Sequence, residues 1–191
     1  MEKKDLKPAG VFKYFEEICQ VPRPSKKEEK MIAYLKTFGA KHNLETKVDE
    51  AGNVLIKKPA TPGKENLQTV VLQSHIDMVC EKNNDVQHDF LTDPIETEID
   101  GEWLKAKGTT LGADNGIGVA TELAILADDS IEHGPLECLF TVDEETGLTG
   151  AFALQEGFMS GDILLNLDSE DEGEIFIGCA GGIDSVAEFT Y

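Results

Sequence analysis

Residues 69–77 read TVVLQSHID, an apolar run that ends in a histidine and an aspartate. Its continuous apolar part, residues 69–72, is typical of a strand that is buried on both faces, as in a parallel sheet. In extended chain, residues two apart point the same way, so His75 and Asp77 can face one pocket. Open α/β sheets place their binding sites at this carboxyl end of the strands.

The rest of the chain alternates between helical and strand patterns. We predict helices at residues 8–20, 25–42, 116–128 and 148–155, and strands at 44–48, 53–57, 136–142, 163–167, 174–177 and 185–191. Ser25, followed by Glu28, has the pattern of a capping box that opens the second helix. Residues 80–110 are predicted to be irregular. The alternation favours an α/β fold with a mostly parallel, mixed central sheet and helices on both faces.

Length and charge limit the function. The 191 residues suit one domain or slightly more than one. The net charge of -20 would repel a phosphate backbone or an anionic membrane surface, so we expect no nucleic-acid or membrane partner. No apolar run approaches the roughly 20 residues that span a bilayer, and residues 1–5 lack the apolar stretch of a secretory signal.

The four cysteines indicate a reducing compartment. They lie far apart, without a C-x-x-C pair, at Cys19, Cys80, Cys138 and Cys179. Three of them stand in apolar segments, where a buried free thiol is the usual outcome. We therefore expect a cytoplasmic protein.

Two further features could supply ligands beside His75 and Asp77. Residues 111–116 read LGADNG and place Asp114 at a glycine-flanked turn into a helix. Glycines allow a close approach of the backbone to a ligand, although an aspartate that caps a helix is also common. On its own, His-x-Asp favours a strand-end histidine paired to a turn aspartate over a ligand, because the tripeptide is short.

Carboxylates also follow two other predicted strands. Asp143, Glu144 and Glu145 come directly after residues 136–142, and Asp168 follows residues 163–167. Adjacent side chains point in different directions, so one glutamate can bind metal while the other accepts a proton from water. A solvated acidic loop remains the alternative for each group taken alone.

Together these residues predict a metal site. Each follows a predicted strand or opens a helix, and the ends of parallel strands converge on one edge of a sheet. One histidine with several carboxylates suits zinc, cobalt or manganese, with a bridging water as nucleophile.

The same motifs resemble a known family. Residues 71–79 (VLQSHIDMV), 108–118 (GTTLGADNGIG), 144–145 (EE) and 178–182 (GCAGG) are similar to segments of the two-zinc exopeptidases, which include carnosinases, aminoacylase and tripeptidases. The resemblance covers essentially the whole chain. It implies a metal-dependent hydrolase that cleaves short unblocked dipeptides, including those that end in histidine.

The resemblance also implies a role for each residue. His75 and Asp168 would hold one metal ion and Glu145 the other. Asp114 would bridge the two ions, and a cis peptide bond would join Asp114 to Asn115. Glu144 would be the general base. Asp77 would orient His75.

Some parts of the family pattern are missing from the sequence. The second metal takes a further histidine from near the end of the family's chains, and His42, His88 and His133 do not stand in the matching motif. A lid domain supplies groups that grip the substrate, and the family's homodimers form through it. We therefore expect residues 1–182 to be the amino-terminal part of the catalytic domain, and residues 183–191 to begin an absent lid.

Two alternatives stay open. Gly112, Gly116 and Gly118 also resemble the nucleotide loop of short-chain dehydrogenases, in which a phosphate meets a helix N-terminus. Residues 103–107 do not form the buried strand that such a loop requires, and no Tyr-x-x-x-Lys pair is present. A non-catalytic relative with a vestigial site is the second alternative.

Overall fold

The computed structural model describes residues 2–169, 171, 173–178, 181 and 185–190. In this part of the chain, the helices are α1 (Ala9–Cys19), α2 (Glu29–Lys41), α3 (Ala113–Ala127) and α4 (Thr149–Ala153). The strands are β1 (Glu45–Val48), β2 (Val54–Lys58), β3 (Val70–His75), β4 (Thr97–Asp100), β5 (Trp103–Ala106), β6 (Leu136–Thr141) and β7 (Ile163–Asn166). None of the helices described here combines the length and the apolar composition needed to span a bilayer.

Five strands form the central sheet, in the order β1-β2-β6-β3-β7. β3 is parallel to β6 on one side and to β7 on the other, so that Leu72 lies opposite both Cys138 and Leu165. β2 is antiparallel to both of its neighbours. Because β2 alone runs against the other strands, the prediction of a mostly parallel, mixed α/β sheet is confirmed.

The two faces of the sheet are covered unequally. On one face, Ile56, Leu72 and Phe140 share a large core with residues of α1, α2 and α3. The other face carries a smaller cluster, packed against the segment that follows α4. Its members are Leu55, Val71, Leu139, Leu154, Phe158 and Met159.

Two predicted boundaries are wrong. α2 begins at Glu29 rather than at Ser25, and no side chain caps its first turn. Residues 97–106, which were expected to be irregular, form the β4–β5 hairpin outside the central sheet. Thr97 is buried whereas Trp103 is 71% exposed. Because the hairpin packs on one side only, its sequence resembles a polar loop.

The strands predicted at residues 174–177 and 185–191 are also wrong for the residues that the structure describes. A strand exists through hydrogen bonds to a neighbouring strand, and residues 174–177 and 185–190 have no such partner within the described chain. Ile175 and Ile177 are almost fully exposed. Tyr191 lies outside the described residues.

α3 carries an acidic side chain into the core. Glu122 is completely buried against β3 and β6. The Ser74 hydroxyl and the Cys138 thiol are its polar neighbours, but neither forms a well-aligned hydrogen bond with it among the described residues. Burial raises the pKa of Glu122 well above its ordinary value. Burial also raises the pKa of the Cys138 thiol, so the fold favours the neutral form of both groups.

The raised pKa of Glu122 predicts a pH-dependent stability. Between the pKa of Glu122 in the unfolded chain and its raised pKa in the folded chain, the unfolded state has lost this proton while the folded state retains it, so stability falls as pH rises. Each unit of pKa shift corresponds to about 1.4 kcal/mol. We expect Glu122→Gln to lose less stability between pH 5 and pH 8 than the natural chain in urea unfolding. Equal pH dependence in both, with the exposed Glu156→Gln as control, would contradict this expectation.

Candidate metal and active site

The site lies where the carboxyl ends of β3, β6 and β7 meet. His75 is the last residue of β3, residues 143–145 follow β6, and Asp168 follows β7. Asp114 joins them from the irregular start of α3, where it is linked to Asn115 by a cis peptide bond. The parallel pairing of the three strands brings these side chains to one edge of the sheet.

His75 is at the centre of the cluster. Its ring is only 1% exposed. Its Nε2 atom lies 3.0 Å from Asp114 Oδ1, 3.7 Å from Asp168 Oδ1 and 3.9 Å from Glu144 Oε2. Three carboxylates therefore face one ring nitrogen.

The other ring nitrogen of His75 is held by Asp77. Nδ1 lies 3.1 Å from Asp77 Oδ1. Asp77 also accepts the backbone N–H groups of Glu144 (3.0 Å) and Glu145 (3.2 Å) and the Ser25 hydroxyl (2.7 Å). Burial alone would raise the pKa of Asp77, but its bonds to His75 and to the Glu144 N–H lower it to about 2. A charged Asp77 thus directs Nε2 of His75 towards the other carboxylates.

The charges in the cluster perturb one another. Burial alone would lower the pKa of His75, but its bond to Asp77 and the charge of Asp168 outweigh burial and raise the pKa to about 9. Burial raises the pKa of Glu144 and of Asp168 despite the opposing effect of His75. Burial and the charge of Asp114 raise the pKa of Glu145. The protein therefore holds several carboxylates closer together than they would be in solution.

The arrangement fits a metal ion. Ligand atoms of His75, Asp114 and Asp168 all lie within 4.8 Å of one another. One imidazole nitrogen with carboxylate oxygens is a donor set that zinc accepts. Glu145 is outside this three-residue group, although the charge of Asp114 acts on it.

In a second acidic group, Glu28, Asp77 and Asp143, each carboxylate accepts hydrogen bonds from protein donors. Asp143 accepts the hydroxyls of Thr146 and Thr149, both at 2.5 Å. Glu28 accepts a backbone N–H from Asp143 at 3.0 Å. These bonds tie the three carboxylates to the segments around the first group.

The remaining histidines stand apart from the cluster. His42 packs on Phe38 at the end of α2, and His88 packs on Phe90. His133 Nδ1 lies 2.7 Å from the Gly134 carbonyl. In the described part of the chain, none of the three belongs to a group that could hold metal.

Two contributors could not be identified from the sequence. Ser25 matches a capping-box pattern but donates to Asp77 instead. Arg23, a buried residue between two prolines, donates to the backbone carbonyls of Ile76, Asp77 and Gly112. A single arginine in a loop gives no sequence signal for such a role.

The glycines near Asp114 have a structural reason that involves no nucleotide. Gly112 has a left-handed φ of +68°. A Cβ atom would lie 2.5 Å from Arg23 Nη2 if added to Gly112, and 2.7 Å from it if added to Gly116. A Cβ atom on Gly118 would collide with the Asn115 side chain. The segment before this loop, β5, belongs to the separate hairpin. The dehydrogenase alternative is therefore not favoured.

Residues 71–187 match peptidase family M20/M25/M40. The chain belongs to this peptidase family. The resemblance inferred from residues 71–79, 108–118, 144–145 and 178–182 is thus confirmed at the family level.

Individual relatives agree. The cytosol non-specific dipeptidase of Escherichia coli (strain K12) is 54% identical over 183 residues, which cover 96% of this chain and 38% of that protein. The aminoacylhistidine dipeptidase from Vibrio alginolyticus matches with a TM-score of 0.91 and 56% identity, over 94% of this chain and 36% of its own. The aminopeptidase PepT from Bacillus cereus ATCC 10987 matches with a TM-score of 0.72 and 26% identity, over 85% of this chain and 43% of its own. The chain spans less than half the length of each of these M20 relatives.

The contact between the glycines and Arg23 can be tested by adding a methyl group. In Gly116→Ala, the new Cβ would lie 2.7 Å from Arg23 Nη2 and 3.1 Å from Phe15 Cε2. We expect the free energy of unfolding to fall by about 1–3 kcal/mol, as for other overpacked cores. Urea unfolding measures the change.

Gly10→Ala is the matched control. Its Cβ would lie 3.5 Å from Ala124 Cβ, an ordinary contact, and an alanine in α1 should raise stability by about 0.5–1 kcal/mol. If Gly116→Ala were as stable as Gly10→Ala, the contact with Arg23 would not explain the glycine.

Proposed function

We propose that this chain is part of a metal-dependent dipeptidase that hydrolyses unblocked dipeptides, including those that end in histidine. The observation that carries the proposal is the convergence of His75 with Asp114, Glu144 and Asp168 at one sheet edge of an M20 peptidase chain. The names of the two relatives above 50% identity, both dipeptidases, support the substrate class.

We assign two divalent metal ions to the site, with zinc preferred over cobalt and manganese. His75 and Asp168 would hold one ion, Glu145 would hold the other, and Asp114 would be a ligand of both. The distances from His75 Nε2 to Asp114 and Asp168 support the first assignment. The assignment of Glu145 rests on the family resemblance and on the proximity of its charge to that of Asp114.

The catalytic steps of the protein follow from these positions. When bound, the metal ions polarise the scissile carbonyl and lower the pKa of the attacking water. Glu144 accepts the proton of that water and returns it to the leaving amine. Its half-buried position beside His75 and its raised pKa suit a group that must gain and then lose a proton. Asp77 holds Nδ1 of His75, which leaves Nε2 directed at the carboxylates that would share the metal with it.

The proposal also concerns groups of the site that the 191 residues do not contain. We propose that residues 1–182 form the amino-terminal part of the parent protein's catalytic domain, and that residues 183–191 begin a lid through which the parent forms a homodimer. The coverage of only 36–38% of the two dipeptidases leaves room for both the lid and the missing histidine.

We also propose a cytoplasmic location. The Escherichia coli relative is named as a cytosol enzyme. Cys19, Cys80 and Cys138 are free thiols in the described part of the chain, which suits a reducing compartment. Cys179 lies outside the described residues.

The base assignment predicts a separation of turnover from metal binding. Glu144→Gln in the full-length protein should keep its metal but lose turnover by ~10²–10⁴-fold, because the proton acceptor is gone. Asp114→Ala should lose metal as well. Steady-state hydrolysis of a dipeptide, together with zinc analysis of the purified variants, measures both. Near-normal turnover of Glu144→Gln, with the exposed Glu156→Gln as reference, would show that another group is the base.

The ligand assignment predicts the stoichiometry of the 191-residue chain. One ion would have His75, Asp168 and Asp114 as ligands, whereas the other would have Glu145 and Asp114 alone. Because catalytic zinc sites usually have about three protein ligands, we expect one zinc to bind far more tightly than a second, with little dipeptide hydrolysis. Calorimetric titration with zinc and a hydrolysis assay test both parts. Two equally tight sites, or full turnover, would refute the assignment.

A further inference from the structure

The loop of residues 23–28, between α1 and α2, touches three of the four segments that carry the proposed site: the segment after β3, the start of α3 and the segment after β6. Its first contact is through Arg23, which is only 2% exposed. Nη1 donates to the carbonyls of Ile76 (3.2 Å) and Asp77 (2.9 Å), and Nη2 donates to the carbonyl of Gly112 (2.6 Å). One planar guanidinium thus ties the chain after β3 to the start of α3, where Asp114 stands.

The second contact is with the side chain that orients His75. Ser25 Oγ donates to Asp77 Oδ2 at 2.7 Å. Pro24 forms an isolated parallel β-bridge with Met78, so the loop runs alongside the segment after β3. Both the backbone and the side chain of Asp77 are therefore held by the 23–28 loop.

The third contact reaches the loop that carries Glu144. Glu28 Oε1 accepts the backbone N–H of Asp143 at 3.0 Å, and also that of Lys26 at 2.9 Å. Asp143 has a left-handed φ of +49°, a conformation that costs free energy in a residue other than glycine. This turn therefore depends on hydrogen bonds from its surroundings. Glu28, which lies outside the turn, accepts one of them.

We propose that the 23–28 loop is a clamp that sets three of the four ligand-bearing segments, those after β3, at the start of α3 and after β6, in register with one another, with Glu28 and Ser25 as positioning residues for metal binding. This proposal rests on the proposed function in one respect, namely that the positioned residues bind metal. The bonds themselves join β3, α3 and β6, which are far apart in sequence, through a single loop. Partners in this outer layer of a metal site typically change metal affinity by about 10–100-fold when they are removed.

The test compares three variants of the chain. Glu28→Ala removes the acceptor of the Asp143 N–H. Glu28→Gln keeps an acceptor oxygen and is the conservative rescue. Glu29→Ala removes an equal charge from the neighbouring exposed position and is the matched control. Amide hydrogen exchange by NMR without added metal, and calorimetric titration with zinc chloride, are measured on each.

We expect Glu28→Ala to accelerate exchange of the Asp143 amide by about tenfold or more, because a hydrogen bond to a charged group is lost. The amides of Leu139 and Phe140, inside β6, should keep their protection. Zinc affinity should fall by about 10–100-fold. Glu28→Gln should stay close to the natural chain in both measurements, and Glu29→Ala should match it.

Several results would overturn the clamp. One is an Asp143 amide that exchanges equally fast in Glu28→Ala and Glu29→Ala. Another is exchange that accelerates equally throughout β6, since that indicates general destabilisation. A third is unchanged zinc affinity in a folded Glu28→Ala.

The two proposals can also fail separately. If the natural chain binds no zinc, the metal assignment fails, while exchange at Asp143 still decides the clamp. If Glu28→Ala does not fold, Ser25→Ala takes its place with Lys27→Ala as control. Zinc affinity equal in those two variants would then overturn the proposal.

Discussion

The buried carboxylate of Asp77 is the interaction on which the site depends. A carboxylate that is buried away from solvent stays ionised only when hydrogen-bond donors surround it. Asp77 receives donors from His75, from the Ser25 hydroxyl and from the N–H groups of Glu144 and Glu145. These donors come from β3, from the loop before α2 and from the loop after β6. The hydrogen bonds to the single carboxylate of Asp77 therefore position three parts of the chain together: His75, the 23–28 loop and the loop that carries the proposed base.

The sequence was a good guide where strand patterns end in polar residues. The apolar runs at residues 69–72 and 136–142 predicted the two central strands, and the residues that follow them meet in space because those strands are parallel. His75, Asp114 and Asp168 could therefore be grouped before their distances were known. Glu145 could not be placed by the same reasoning, because adjacent glutamates after a strand leave their directions undetermined.

Local patterns failed where a distant partner competes for a side chain. Ser25 and Glu28 have the spacing of a capping box, in which each would bond to a nearby backbone group. In the folded chain, Ser25 donates to Asp77 and Glu28 accepts the N–H of Asp143. The glycines at 112 and 116 were open to a nucleotide interpretation, but they leave space for Arg23. Such contacts span tens of residues in sequence and have no periodicity that could reveal them.

The arrangement of charges implies a stability cost in exchange for function. Asp77 contributes stability above its unfolded pKa, and this is lost only as pH falls through the folded value of about 2. The raised pKa of Glu144, Glu145 and Asp168 has the opposite sign, because each of these groups destabilises the fold as pH rises above its ordinary pKa. His75 contributes stability below its unfolded pKa and loses it as pH rises through about 9. Within this cluster, the favourable charge interactions are concentrated in the buried Asp77–His75 pair, while the outer carboxylates repel one another. That distribution is expected of a site selected to attract cations rather than to stabilise the chain.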